Sequence, residues 1–109
     1  MPWKAEVLND MVAAEIQDFS IDLRAKLDRI VHMLEVLGPF MVREPYIKHL
    51  TGKLWEMRVK GVDGIARAVY IAATGRRLEI LHAFVKKSQK TPKGALETAL
   101  KRAKEANLL

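Results

Sequence analysis

The sequence contains no cysteine. That excludes disulfides and thiolate metal sites, and it fits a reducing compartment. No apolar run reaches the length needed to cross a bilayer. The opening MPWKAEVLND lacks the apolar core of a secretion signal, so a cytoplasmic protein with no membrane partner is expected. His32, His49 and His82 have no close spacing, and no paired acidic residues stand where they could hold two cations. Neither a metal site nor any other cofactor is therefore expected. There is no phosphate-binding glycine loop, and Ser20 and Ser88 have no hydrolase context. Internal repeats, low-complexity segments and linkers are missing too. What remains is 109 residues, half of them hydrophobic, which suits one domain over residues 1–109 with a modest core.

The net charge of +6 is spread unevenly. Residues 1–50 hold six Lys/Arg against eight Asp/Glu, and residues 51–109 hold thirteen against five. A near-neutral half joined to a basic half suggests one anion-facing surface.

Trp3 to Leu8 reads as a short strand, and Asn9-Asp10 as the start of a short helix carrying Met11, Val12 and Ile16. Ser20 caps a longer helix, in which Leu23, Leu27, Ile30, Val31, Leu34 and Leu37 recur at helical spacing until Gly38-Pro39 ends it. Phe40 to Thr51 reads as a connection without clear periodicity. Leu54 to Lys60 alternates as a strand. Ile65 to Ala73 and Arg77 to Val85 follow as two more, with turn signals at Asp63-Gly64 and Thr74-Gly75. The last helix spans about Pro92 to Ala106, with Thr91 as N-cap and Pro92 at the first helical position. The expected fold class is α+β. It comprises a small antiparallel sheet, made of a three-strand meander plus an N-terminal strand, packed by an N-terminal helix pair and followed by a C-terminal helix.

Two-residue loops at both turns would pair Val62 with Ile65 and Ala73 with Arg76. Lys60 would then lie opposite Arg67, and Arg67 opposite His82. Residues opposite one another share a face, so Arg58, Lys60, Arg67 and His82 fall together, with Glu56 at the far end. Like charges across a ladder cost roughly 0.2–1 kcal/mol, which an anion between them would remove. A wet sheet face screened by Glu56 would produce the same pattern. At the end of the last strand Lys86, Lys87, Lys90 and Lys93 follow with no acid among them, beside a helix start suited to a phosphate. Arginine and lysine, with His82 beside them, suit phosphodiester chemistry that needs no metal, with the RNA 2′-hydroxyl as nucleophile.

GKLWEMRVKG, IARAVYIA and LEILHAFVKKSQKTP, followed by a basic helix, resemble the HigB-like toxins of phage-derived type in the RelE/ParE toxin–antitoxin superfamily. The resemblance covers nearly the whole chain and is strongest over Phe84 to Pro92. It implies a RelE-like fold and a ribosome-dependent endoribonuclease that cuts mRNA in the ribosomal A site. Its partners would be mRNA on the ribosome and a cognate antitoxin, HigA-like with a helix-turn-helix. Carried onto this chain, the resemblance makes Arg58 and Arg67 the contacts to the scissile phosphate, matches Lys86 and Lys87 to the basic pair after the last strand and makes Lys90 the third lysine of the motif. The family's tyrosine, aspartate or histidine base has no clear equivalent here, and His82 and Lys87 are the candidates this chain offers. Lys60, Lys86, Lys90 and Lys93 are the expected substrate-binding cations. The family usually has threonine at Ser88, glycine at Ala83 and, at Ala66, a tyrosine that could stack on a base. Arg67→Ala is expected to abolish toxicity with the fold intact. Two other readings share these features: a ParE-like gyrase poison and a nucleic-acid-binding module without activity.

Overall fold

The computed structural model describes residues 2–62, 64–86 and 91–109. Among them the chain forms, in order, β1 (Lys4–Val7), α1 (Asp10–Gln17), α2 (Ile21–Leu37), β2 (Ile47–Thr51), β3 (Leu54–Gly61), β4 (Gly64–Ala73), β5 (Arg77–Lys86) and α3 (Lys93–Glu105). The α+β class, the N-terminal helix pair, the meander and the C-terminal helix stand as expected. The sheet is larger by one strand, with five in the order β1-β5-β4-β3-β2. It is also mixed, because β1 runs parallel to β5. The added strand β2 lies within the stretch expected to be a connection. As an edge strand it buries only Ile47 fully and exposes Lys48 and His49, so its sequence carries little alternation.

Capping sets the helix starts. The Asn9 side chain accepts from the Val12 N–H at 3.1 Å, and Ser20 Oγ from the Leu23 N–H at 3.2 Å. The α2 stripe Leu23, Leu27, Ile30 and Leu34 is buried. It packs on the sheet face formed by Met57, Val59, Ala66, Ala68, Tyr70 and Ile80. On the opposite face Leu54, Val69, Ile71 and Leu81 meet Ala99 and Ala103 of α3. The alanines let α3 lie close over the apolar half of that face.

Both hairpin registers differ from those assumed, the first by the position of its two-residue turn and the second by the length of its loop. Between β3 and β4 the last pair is Gly61 with Gly64, so Lys60 lies opposite Ile65 and Arg58 opposite Arg67. The turn comes one residue earlier because α2 holds it there. Asp22 Oδ2 accepts from the Val62 N–H at 2.9 Å, and that bond is the largest influence holding the Asp22 carboxyl below its usual range. A Cβ at Gly61 would stand 2.6 Å from Asp22 Oδ2 and 2.7 Å from Leu23 Cδ2. Gly61→Ala should therefore cost about 1–3 kcal/mol, as overpacking does. A lowered urea midpoint will register it, and an unchanged midpoint would deny the contact.

Between β4 and β5 the register moves twice. Ala73 pairs with Arg77, which makes a three-residue loop whose Gly75 and Arg76 have φ of +78° and +56°. The partners of Val69 and Tyr70 are then His82 and Ile80, leaving Leu81 as a bulge. Arg67 lies opposite Phe84, and His82 opposite Val69. The sequence reading had put His82 opposite Arg67. The loop supplies one extra residue and the bulge another, so side-chain parity is kept and His82 stays on the Arg67 face.

Candidate active site

The pairing lays out a polar patch on the α3 side of the sheet. One row runs Lys48, Glu56, Val69 and His82. The next runs Arg58, Arg67 and Phe84, and the last Lys60, Ile65 and Lys86. α3 covers the apolar end of this face. The segment leading into α3 reaches the polar end, where the Thr91 hydroxyl donates to Glu56 Oε2 at 2.7 Å.

Glu56 is the anionic centre of the patch, 1% exposed. Its Oε1 lies 3.4 Å from Arg67 Nε and 3.8 Å from Arg58 Nε. Arg58 also pairs with the exposed Glu44 at 3.7 Å. Like-charged Arg58 and Arg67 face each other directly, and the Glu56 carboxylate between them offsets that repulsion. Arg67, only 2% exposed, donates from Nη1 to the Ala66 carbonyl at 3.2 Å. Its Nε, and the Nζ of buried Lys86, have no hydrogen-bond partner among the described residues. Buried donors without a hydrogen bond are costly, and here they belong to cations near a single carboxylate.

This environment lowers the pKa of both cations. For Arg67 burial is the main cause, aided by Arg58 and opposed by Glu56. For Lys86 burial again leads and Arg67, Arg58 and Lys48 add repulsion, while Glu56 pulls the other way. Arg67 stays charged at any physiological pH. Lys86 is moved toward neutrality, the direction in which an amine becomes a proton acceptor.

The candidate residues separate accordingly. Arg58, Arg67 and Lys86 come together around Glu56. Lys60 sits on the same face at its exposed rim, and Lys93 is exposed at the first position of α3. Lys87 and Lys90 lie outside the described residues. The His82 ring stacks on Phe84 with centroids 5.0 Å apart, and its Nδ1 lies 3.0 Å from Glu15 Oε1. Glu15 accepts a fork from Arg102 at 3.0 and 2.9 Å and takes the Ala83 N–H at 3.1 Å. These bonds hold the Glu15 carboxyl below its usual range, outweighing the effect of burial. Two sequence expectations change here. Thr91 does not cap α3, since Pro92 is its N-cap and the Thr91 hydroxyl is on Glu56. Ala66 is fully buried in the helix-facing core, on the side of the sheet away from the patch, so an aromatic there would not have stacked beside Arg67.

A described protein family covers most of this architecture. The sequence profile of "Phage derived protein Gp49-like (DUF891)" matches residues 14–104. The chain belongs to this Gp49-like family. Its fold is also similar to that of RelE. A chain of the archaeal RelE–RelB complex from Pyrococcus horikoshii OT3 superposes with a TM-score of 0.57 at 19% identity, over 78% of this chain and 96% of that one. No curated protein matches the sequence. Within the Gp49-like domain, sequence reasoning had missed Thr91 as a site ligand, Lys48 as a neighbour of the patch, and Glu15 and Arg102 as the clamp on His82. The helix pattern of α3 could have flagged Arg102, which stands one position before the buried Ala103.

Proposed function

We propose that this chain is the toxin of a type II toxin–antitoxin pair and acts as a ribosome-dependent mRNA endoribonuclease. The observation that carries the reading is the group of buried Arg67 and Lys86 with half-buried Arg58 near a single carboxylate, with Lys86 Nζ without a hydrogen bond among the described residues. A phosphodiester drawn into this patch would satisfy those donors. Membership of the Gp49-like family and the RelE-like fold support the same reading.

The chemistry follows from the positions. Arg67 and Arg58 hold the scissile phosphate and stabilise the charge that builds on its oxygens. Lys86, in its neutral form, takes the proton of the adjacent 2′-hydroxyl. The 2′-oxygen attacks phosphorus, the bond to the 5′-oxygen breaks, and the products are a 2′,3′-cyclic phosphate and a 5′-hydroxyl. His82 is on the same face, one row beyond Phe84, and is assigned the proton for the leaving 5′-oxygen. Lys60 and Lys93, together with Lys87 and Lys90, bind flanking phosphates. The partners are mRNA on the ribosome and a cognate, HigA-like antitoxin.

Mapping mRNA 5′ ends after induced expression in a bacterial host tests the reading. Cuts confined to translated frames, absent in Arg58→Ala, are the expected result. Growth arrest with intact mRNA and altered DNA topology would move the chain to the gyrase poisons. Salt-sensitive RNA binding without cuts would make it a binding module.

A further inference from the structure

Sheet edges expose unpaired backbone groups, and proteins normally cover them. Two stretches of edge are covered here by glutamates. On β1, the Trp3 N–H reaches the Glu35 carbonyl at 3.0 Å and the Ala5 N–H the Glu35 carboxylate at 2.9 Å. Where β5 runs past the end of β1, Glu15 takes the Ala83 N–H. β2 is the other outermost strand, and among the described residues no side chain is placed on its backbone in this way. The Arg58 N–H bonds the Tyr46 carbonyl at 2.8 Å. Antiparallel alternation then turns the backbone groups of Ile47 and His49 outward, away from β3.

The side chains of those two residues line a cavity of about 670 Å³. Trp55, Tyr70, Phe40 and Val42 supply its aromatic and aliphatic walls. Trp55 and Phe40 are 38% and 80% exposed, a large apolar surface to leave in water. The rim carries Arg43 beside Glu44, which is already paired with Arg58. Lys48, between Ile47 and His49, borders the cavity, but its side chain points to the other face, opposite Glu56.

We propose that the β2 edge and this cavity receive an extended, acidic segment of a partner protein, added as a sixth strand whose apolar and acidic residues alternate. Strand addition dictates the pattern, because residues opposite each other share a face. Residues of the incoming strand opposite Ile47 and His49 direct apolar side chains over the cavity. The residue between them falls beside Lys48, on the face that carries Arg58 and Arg67. An acidic side chain there adds negative charge next to the cation patch, so occupation of the edge suppresses anion binding at the site. The inference rests on the proposed toxin reading only for what carries the strand, a cognate inhibitor. The docking surface stands apart from the nuclease chemistry.

The test uses a capped decapeptide alternating Leu and Glu, titrated into the full chain and followed by amide and indole NMR. Expected are slowed exchange of the Ile47 and His49 amides and a shift of the Trp55 indole. His49→Pro removes an outward donor at a position where an edge strand tolerates proline, and it should weaken binding about tenfold, the effect of one lost hydrogen bond. Lys48→Glu should weaken it similarly, and a Leu/Lys peptide should not bind. Binding with the Ile47 and His49 amides unchanged, equal binding of the Leu/Lys peptide, or no binding to the folded chain would each overturn the proposal. So would a short oligoribonucleotide that shifts the Trp55 indole where the peptide does not. No cleavage is measured, so failure of the nuclease reading would leave these results intact.

Discussion

Arg67→Ala is expected to abolish mRNA cleavage and, contrary to the sequence expectation of an intact fold, to lower the unfolding free energy by about 2–4 kcal/mol. The residue is buried, and its guanidinium is the closer of the two arginines to the buried Glu56 carboxylate. Removing it leaves that carboxylate with Arg58 at 3.8 Å and the Thr91 hydroxyl, which keeps the penalty below that of a wholly stranded charge. Lost activity therefore needs a control that separates catalysis from folding. Arg67→Ala combined with Glu56→Gln should recover most of the stability, because the uncompensated charge is gone, yet recover no cleavage. Arg67→Lys keeps the charge and loses the fork, and it should retain the fold while cleaving roughly 10²–10³ more slowly. Urea melts and single-turnover cleavage on programmed ribosomes measure both quantities. Full cleavage by a folded Arg67→Ala protein would remove the residue from the site.

Lys86→Met should separate the two effects in the opposite sense. Cleavage should fall by about 10²–10⁴, the range for removing a proton-transfer group, while stability is unchanged or higher. The sign follows from the environment of the amine. Its pKa is lowered from the ordinary 10.5 in the folded chain, by burial first and then by Arg67. Between the lowered value and the ordinary one, the unfolded chain binds more protons than the folded chain, so stability rises with pH across that window. Below the window the folded protein bears the full cost of a charged, buried amine. In Lys86→Met both that cost and the rise disappear. The cleavage rate of the native chain should climb with pH through the lowered pKa and then level off. A pH–rate profile with the same rise in Lys86→Met would assign the proton to another group.

The sequence announced features that repeat with a period. The α2 stripe, the Ser20 cap and the alternation of β3 were legible because one face of each element is buried and the other is wet. Arg58 and Arg67 could be placed on one face by parity alone, even though both assumed registers were wrong. β2 escaped notice because an edge strand buries so little. Glu56 read as a screening charge at the end of a row, and no local pattern announces the Thr91 hydroxyl, 35 positions away, that closes on its carboxylate. Glu15 and Arg102 are separated by most of the chain, and no local pattern connects residues that far apart.

The bulge at Leu81 has a consequence for how this domain can change length. A strand is read in steps of two, so a residue lost within a regular ladder acts on a sheet as a frameshift acts on a gene, sending later side chains to the wrong side. The Thr74–Arg76 loop and the Leu81 bulge are the places where this hairpin stands outside that reading frame. Deleting Leu81 would leave Ile80 opposite Tyr70 and His82 opposite Val69, so His82, Phe84 and Lys86 would keep their face. Dropping one loop residue would leave a two-residue turn with Ala73 still opposite Arg77. A single deletion at Ala83, by contrast, would turn Phe84 and Lys86 toward the α1 and α2 core. Variation in the length of this hairpin is therefore permitted at the loop and the bulge and forbidden in the run that carries Phe84 and Lys86.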